Sequence, residues 1–489
     1  MVALTIRNLT TTPLELRRIE RFHGEPVPGE GIKRVASKIT SIFNASSHTP
    51  PGVCGVSLKP GKGWVRAQEF YEGARHLPVA PFEARATGVR AADPGGREVA
   101  RLFFRQPGTE NRWSVDCPGP SHRSLVMRRE AGGDDESGGP AEFTVIYSLE
   151  HGHLTVLSSG GLAHWMRELR DEFPLSMLSI PGTHNSPTCY KALPSVRCQA
   201  VGVREQLDNG VRYLDVRVSC SPDSDDLTLV HAAFPVSLTG SKYLHDLLAE
   251  CYAFLDENPR EALIMSLKRE GTGKGTDGDM SRHLSDRYCG RDDARRWFTD
   301  SRIPTLGEVR GRIVLLRRFW IDDSLKGHND GRGFAMDGEH WPDNCDDGTV
   351  GSGLIRVQDF YEMDQSTNID KKTELARAQL ERASEQLGHY HGMPDAPEQL
   401  PGPNPLFVNF LTASNFFSAS CWPEKIAAKV NPAIIEYLCM RHGDHGKGPN
   451  QLAVGDSATG IVITDWVGKD GDWDLIRAIV GWNARLQLK

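Results

Sequence analysis

The sequence predicts an α/β protein in two parts: an N-terminal all-β, sandwich-like domain over residues 1–160, and a TIM-type (β/α) barrel over residues 161–489. Three observations carry this prediction. A chain of 489 residues exceeds what one compact core organises. Up to about residue 160, short strand-like runs are separated by Gly/Pro-rich turns. From about residue 162, such runs alternate with helical patterns, and alternation at this length means a parallel sheet.

In the first part, ALTIRNLT, GVSLKPGKGWVRA, VARLFFRQ, RWSVDCP, SLVMRR and AEFTVIYSLE are the predicted strands. The acidic, glycine-rich AGGDDESGGP (131–140) reads as a surface hairpin loop. The pattern fits a β-sandwich, and no cluster of acids in it has the spacing of a calcium site. Both a stabilising appendage and a lipid- or partner-docking module are compatible with it, because a fold alone does not give a function.

In the second part, LAHWMRELRDEF is predicted as a helix with Leu162, Trp165, Met166 and Leu169 on one face. In SKYLHDLLAECYAFLDENP, Leu244, Leu247, Leu248, Cys251, Phe254 and Leu255 make an apolar stripe that Asn258-Pro259 ends. KKTELARAQLERASEQLGHY is a further helix, with Gly388 as its terminator. NPAIIEYLCMRH and DWDLIRAIVGWNARL complete the helices. Segments 271–282, 321–354 and 391–405 are rich in Gly, Asp or Pro and read as loops at the strand ends. There is no internal repeat.

Composition excludes several classes. With 39% hydrophobic and 25% charged residues the chain is not largely disordered. A net charge of -7 makes no electrostatic case for nucleic acid. The start, MVALTIRNLTTTPLELRR, lacks the basic and apolar regions of a signal peptide, and no run is long enough to span a bilayer. The ten cysteines show neither C-x-x-C nor zinc-finger spacing. Reduced, buried cysteines in a cytoplasmic protein are the expectation, with secretion by another route left open.

Eight short hydrophobic runs between residues 175 and 467 each deliver polar residues at or just after their C-terminal end. LSMLSIPGTHNS delivers His184, VRYLDVRV delivers Asp215 and Arg217, and LTLVHAAF delivers His231. ALIMSLKRE delivers Lys268 and Glu270, IVLLRRF delivers Arg318, and LIRVQDFY delivers Asp359 and Tyr361. LFVNFLT delivers Asn409 and GIVITDWV delivers Asp465. The C-terminal rim of a parallel barrel is where chemistry is assembled. A histidine after a strand is by itself compatible with a structural role. Gly182 would free a tight turn so that His184 projects, and a second histidine supplies the means to remove one proton and donate another. With the cationic residues beside them, the pair points to acid–base chemistry on an anionic substrate.

The runs IPGTHNS, GVREQLDNGVRYLDVRV, LVHAAF, FLDENPREALIMSLKRE and GRIVLLRRF follow one another in order, and IRVQDFYE, HWPDN, LFVNFLTASN, VNPAI and GIVITDWVG continue the series. This resembles the X domain of phosphatidylinositol-specific phospholipase C, most of all its bacterial-type, metal-independent branch, from about residue 170 to the end. The resemblance implies a distorted (β/α) barrel. It also implies attack of the inositol 2-hydroxyl on phosphorus, giving inositol 1,2-cyclic phosphate and diacylglycerol, with slow hydrolysis of the cyclic ester after that. By position, His184 would be the general base, Asp465 its orienting carboxylate, His231 the general acid and Arg217 the phosphate ligand. Lys268, Arg318 and Asp359 would bind inositol hydroxyls and Tyr361 would stack on the ring.

The calcium-dependent branch carries a Glu-x-Asp pair where this chain has Asp215-Val216-Arg217. A guanidinium there would repel Ca²⁺ and supply its charge, so no metal or other cofactor is expected. Asn185 stands where the metal-independent pattern has Asp. It would orient His231 through its carbonyl without adding charge, and Asp215 is an alternative helper. TASNFFSASCWPEK (412–425) places Phe416, Phe417 and Trp422 after a strand. These rings suit insertion at a lipid interface, with Lys425 and Lys429 adding attraction, or equally packing beneath the loop.

The expected partner is phosphatidylinositol or a glycosylphosphatidylinositol, with peripheral membrane contact, no nucleic acid and a monomeric chain. The competing reading is a lipid- or inositol-phosphate-binding protein of weakened turnover, which Asn185 alone supports. A glycosidase or a metal-dependent glycerophosphodiesterase leaves the histidines or Arg217 unexplained. Arg269, Lys274 and Arg317 are compatible with a headgroup site or with solvent.

Overall fold

The computed structural model describes residues 2–25, 65–93, 98–119, 124–130, 142–158, 161–364, 368–393, 400–444 and 454–489. Met1–Gly161 and Leu162–Gln487 form two compact units.

The first unit holds two five-stranded sheets. One runs in the order Ala84–Arg90, Ala3–Leu9, His153–Ser158, Phe143–Ser148, Leu125–Val126, with Ala3–Leu9 parallel to His153–Ser158. The other runs Val65–Val79, Leu14–Glu25, Glu98–Arg105, Arg112–Cys117, Arg128–Arg129. Leu4, Ile6, Val145 and Val156 of the first share one core with Leu16, Ile19, Leu102, Phe104 and Trp113 of the second. Strand Leu14–Glu25 is absent from the predicted set, as are Ala84–Arg90 and His153–Ser158. Its sequence LELRRIERFHGE is heavily charged, and a register shift between Leu16 and Arg18 breaks the alternation that would reveal it. AGGDDESGGP, and GVSLKPGKGWVRA up to residue 64, lie outside the described residues.

The second unit is mixed α/β. Its main parallel strands are β1 (Ile180–Thr183), β2 (Tyr213–Ser221), β3 (Leu263–Arg269), β4 (Ile313–Arg318), β5 (Met336–Asp337), β6 (Ile355–Gln358), β7 (Leu406–Phe410) and β8 (Ile461–Thr464), with the two-residue Trp297–Phe298 also parallel to β4. They pair in chain order, and β1 also pairs with β8. No ladder joins β5 to β6 among the described residues. All eight strands contribute to one apolar core, through Ile180, Tyr213, Ile264, Val314, Met336, Val357, Val408 and Ile461 among others.

The predicted strand LTLVHAAF is not one of these eight. Ser224–His231 turns back antiparallel on β2, with Val218 opposite Leu229. The missing member is the two-residue β5, inside a segment predicted as loop (321–354) and too short to show a period. Helix Asp277–His283 likewise occupies the predicted loop 271–282.

Among the connecting helices are α1 (Val203–Asp208), α2 (Leu244–Glu257), α3 (Asn368–Glu385), α4 (Pro423–Met440) and α5 (Asp474–Gly481). In α2 the six residues of the predicted stripe are the buried ones. LAHWMRE folds as 3₁₀ turns broken at His164, although Leu162, Trp165, Met166 and Leu169 are buried as expected. α3 stops at Glu385, before Gly388. Gly388 serves close packing instead, since a Cβ there would lie 2.3 Å from Met177 Cγ. α4 starts earlier than NPAII suggests, with Pro423 in its first turn and Pro432 inside it.

Candidate active site

Strand periodicity decides which polar residues reach the interior of the sheet. Successive side chains alternate faces. The core residue Tyr213 is followed on its own face of β2 by Asp215 and Arg217, and Val314 and Leu316 on β4 are followed by Arg318. The same rule sends Ile463 toward Asp465, and Val357 toward Asp359. It also sends two predicted residues elsewhere. Asn409 alternates with the core residues Val408 and Phe410, and its Nδ2 donates to Ala376 O of α3 at 2.8 Å. Arg317 alternates with Leu316 and Arg318; it donates to the carbonyls of Phe334 and Phe319 and pairs with Asp337 and Glu339.

His184 follows β1, and its backbone N–H continues the ladder to Thr464 O at 3.0 Å. Gly182 is needed here for close approach rather than a left-handed turn, because a Cβ would lie 3.0 Å from Tyr213 Cβ. His184 Nδ1 lies 3.1 Å from Asp465 Oδ1. Gln199 Nε2 ties this corner together, donating to His184 O at 2.7 Å and Thr464 O at 3.0 Å. The His231 ring stands edge-on to His184, with centroids 5.8 Å apart.

His231 is positioned by backbone, not by Asn185 as the sequence suggested. Its Nδ1 lies 2.7 Å from Val196 O, and Cys198 Sγ is 3.7 Å from the same nitrogen. Asn185 instead places Nδ2 3.2 Å from His184 Nε2 and leaves Oδ1 buried with no hydrogen-bond partner. Its backbone N–H donates to Asp215 Oδ2 at 3.2 Å.

Arg217 is gripped from two sides, by Asp215 Oδ2 at 3.2 Å and Glu270 Oε1 at 3.0 Å. Glu270 has no role in the sequence reading, yet it also binds Lys268 Nζ at 2.9 Å and accepts from Ala232 N at 2.9 Å. It thereby joins the guanidinium to the residue after His231. Ala232 is held at φ 51°, a conformation that a non-glycine residue adopts only under constraint.

Arg318 lies 3.8 Å from both Asp215 Oδ1 and Asp359 Oδ2, with its guanidinium 4.0 Å from the centre of the Trp341 ring. Trp341 Nε1 in turn donates to Asp359 Oδ2 at 3.0 Å. Arg318 Nε and Nη1, Arg217 Nε and Asp215 Oδ1 are buried without hydrogen bonds. Unmet buried donors beside an unmet acceptor are what a polyhydroxylated anion would complete. Tyr361 is half-buried and donates its hydroxyl to Asp343 at 2.9 Å.

These contacts fix the charges. Burial would raise the Asp215 carboxyl, but Arg217, His184 and Arg318 outweigh it and hold the group well below the usual range. Glu270 is likewise pulled down to about 2, against burial, by Arg217 and Lys268. Burial would push the His184 imidazole down, but Asp465, with Cys198 beside it, lifts it to about 10. Burial pushes the Cys198 thiol up, yet the two histidines bring it down to about 7.

The loop after β7 exposes Phe416 and Phe417, the latter 94% accessible. Phe416 stacks on Phe234 at 5.3 Å, and Phe234 pairs across a short hairpin with His231. Trp422 is half-buried at the start of α4 and donates Nε1 to Phe416 O at 3.2 Å, so it braces the loop rather than leading it. Sequence reasoning missed Cys198 and Gln199, which no motif marks, and gave no role to Phe234 at the end of LVHAAF. Glu270 was named in the sequence without a role beyond support, and Trp341 was findable from HWPDN.

Two histidines, an arginine and unmet buried donors on one strand-end face make a site suited to an anionic substrate. Residues 172–319 match the family model of phosphatidylinositol-specific phospholipase C, X domain. A 1-phosphatidylinositol phosphodiesterase of Listeria monocytogenes is 33% identical over 35% of this chain, which spans 53% of that relative's length. One from Staphylococcus aureus is 26% identical over 65% of this chain and 94% of its own. The solved structure of a double mutant of the S. aureus phosphatidylinositol-specific phospholipase C shares the fold of the second unit. Its TM-score is 0.50 at 24% identity, over 66% of this chain and 97% of that one.

Proposed function

We propose that the chain is a phosphatidylinositol-specific phospholipase C that works without calcium. The observation that carries this is the pair of imidazoles, 5.8 Å apart between centroids, on the strand-end face that also presents Arg217. The pairing of β1 with β8 supports a (β/α) barrel left open between β5 and β6. The names of the Listeria and Staphylococcus relatives support the substrate class.

In this reading His184 Nε2 removes the proton of the inositol 2-hydroxyl, and the oxygen attacks phosphorus. The bond from phosphorus to the glycerol oxygen breaks as His231 gives that oxygen a proton. The products are inositol 1,2-cyclic phosphate and diacylglycerol. Asp465 orients His184 and shares its charge. Arg217, held in place by Asp215 and Glu270, answers the charge growing on the phosphate oxygens. Arg318, Asp359 and Lys268 receive the inositol hydroxyls, and Tyr361 flanks the ring. Phe416 and Phe417 meet the membrane of a lipid substrate, a phosphatidylinositol or its glycosylated relative, to which the chain binds peripherally.

The test is incubation with labelled phosphatidylinositol vesicles in EDTA. Inositol 1,2-cyclic phosphate is expected and should vanish in His184→Ala. Vesicle binding with no product would replace this reading by a binding protein. Product only on adding calcium would overturn metal independence.

A further inference from the structure

Cys198 has no part in the reaction above, yet it is fully buried and lies close to both histidines. Its Sγ is 3.7 Å from His231 Nδ1. One ligating atom from each of His184, Cys198 and His231 lies within 4.8 Å of the others. Three separate segments bring these atoms together: the turn after β1, the loop before α1 and the end of the hairpin on β2. The cysteine is fixed on both sides of its backbone. Its N–H donates to Thr188 Oγ1 at 3.1 Å, and its carbonyl accepts from Trp466 N at 2.9 Å.

Two imidazoles and a thiol are a donor set for zinc and similar thiophilic ions, not for calcium or magnesium, which take oxygen. Zinc–sulfur and zinc–nitrogen bond lengths put neighbouring ligand atoms roughly 3.3–3.8 Å apart, so the cluster would close by about 1 Å. His231, half-buried at a strand end, makes that adjustment by exchanging its Nδ1 contact with Val196 O for the ion. The outer shell is already present, since Asp465 Oδ1 lies 3.1 Å from His184 Nδ1, the carboxylate contact that fixes a ligating histidine. The nearby guanidinium of Arg217 is answered by Asp215 and Glu270, which limits its repulsion of an ion.

We propose that His184, Cys198 and His231 form a binding site for zinc or a similar thiophilic divalent ion, and that the bound ion silences the site by holding both imidazoles in its coordination shell, with His231 Nδ1 drawn off Val196 O. The binding stands by itself; the silencing rests on the roles given to the histidines under the proposed function.

The experiment is a titration of the reduced, full-length protein with Co²⁺, followed by displacement with Zn²⁺. One equivalent should bind, with a thiolate-to-cobalt charge-transfer band that zinc erases. Cys198→Ser should lose the band and weaken zinc binding by about 100-fold or more, beyond what loss of an outer-shell partner costs. His231→Gln, which leaves the buried thiol in place, should weaken it comparably. No band in the wild-type protein, or wild-type affinity in either variant, overturns the site. Phosphatidylinositol cleavage is measured in parallel. Inhibition with a midpoint matching the zinc affinity supports silencing, and binding without inhibition overturns it. A protein that binds the ion but never cleaves the lipid, even in EDTA, refutes the proposed function while the spectroscopic result holds.

Discussion

In the proposed reaction, Asp465 governs how His184 can act. A base must be neutral to accept a proton, and a midpoint near 10 keeps the imidazole charged at neutral pH. Because His231 must at the same time carry the proton it donates, only a minor protonation state is active at neutral pH, and the alkaline limb of the pH–rate profile should lie near 10. The linked stability runs the other way: a raised histidine stabilises the fold fully below about pH 6.5 and loses that contribution as pH passes through 10. Asp465→Asn should move the alkaline limb of the pH–rate profile down and cut kcat by about 10²- to 10⁴-fold through lost orientation. If NMR titration shows the His184 midpoint unmoved, Asp465 is not its partner. Asn185→Asp adds a carboxylate at His184 Nε2, not at His231, so it should raise the alkaline limb further and lower the rate at pH 7. A limb that stays in place would rule this out. These roles were legible to different degrees. His184, Asp215, Arg217, Arg318, Asp359 and Asp465 announce themselves because an apolar run of period two points each of them inward. Asn185 does not, because its partner depends on a φ of 41° that no spacing reveals. Cys198 and Gln199 come from an irregular loop, where there is no period to read.

The elements depend on a brace behind the strands. Arg212, just before β2, pairs with Glu261 at 2.9 Å, and both side chains are fully buried. Arg212 also donates to the carbonyls of Leu207, Val211, Leu162 and Ala163, while Glu261 accepts from the N–H groups of Met166 and Arg167. One ion pair thus joins the 3₁₀ turns at Leu162–Glu168, the end of α1 and the start of β3. Removing a single partner leaves a buried charge and several orphaned backbone groups. Glu261→Gln should destabilise the second unit by about 3–5 kcal/mol, read from chemical denaturation. A loss below about 1 kcal/mol would show that the brace is redundant. At this scale the sequence was informative where elements are long. The stripe of α2 reads directly, and so do β2, β3 and β4. It was uninformative where tertiary pairing makes the element. β5 exists because Leu316 and Arg317 pair with its two residues, and the antiparallel course of Ser224–His231 follows from pairing with β2. An apolar run ending in a histidine looks the same whether it runs parallel or back.

At the scale of the whole molecule, chemistry on a lipid requires an approach to the membrane. No helix among the described residues is long and apolar enough to cross one, and the candidate for contact is a set of exposed apolar side chains. Phe234, Phe416, Phe417 and Leu238 are exposed at 36%, 43%, 94% and 60%. Two of them stack, and Phe234 stands opposite His231 in its hairpin. Aromatic rings left in water cost solvation that the interior of a bilayer would return. Full burial of a phenylalanine contributes about 1.5–3 kcal/mol, so each ring that inserts should strengthen partitioning by about tenfold or more. The double change Phe416→Ser and Phe417→Ser is therefore expected to weaken binding to phosphatidylinositol vesicles by about 100-fold in sedimentation. Cleavage of a water-soluble inositol phosphodiester should fall far less, because neither ring hydrogen-bonds the histidines or Arg217. Trp422→Phe separates bracing from insertion: it removes the Nε1–H bond to Phe416 O and keeps a ring, so a smaller loss is expected. Equal loss of soluble and vesicle activity in the double variant would mean that the rings support the loop and not the membrane contact.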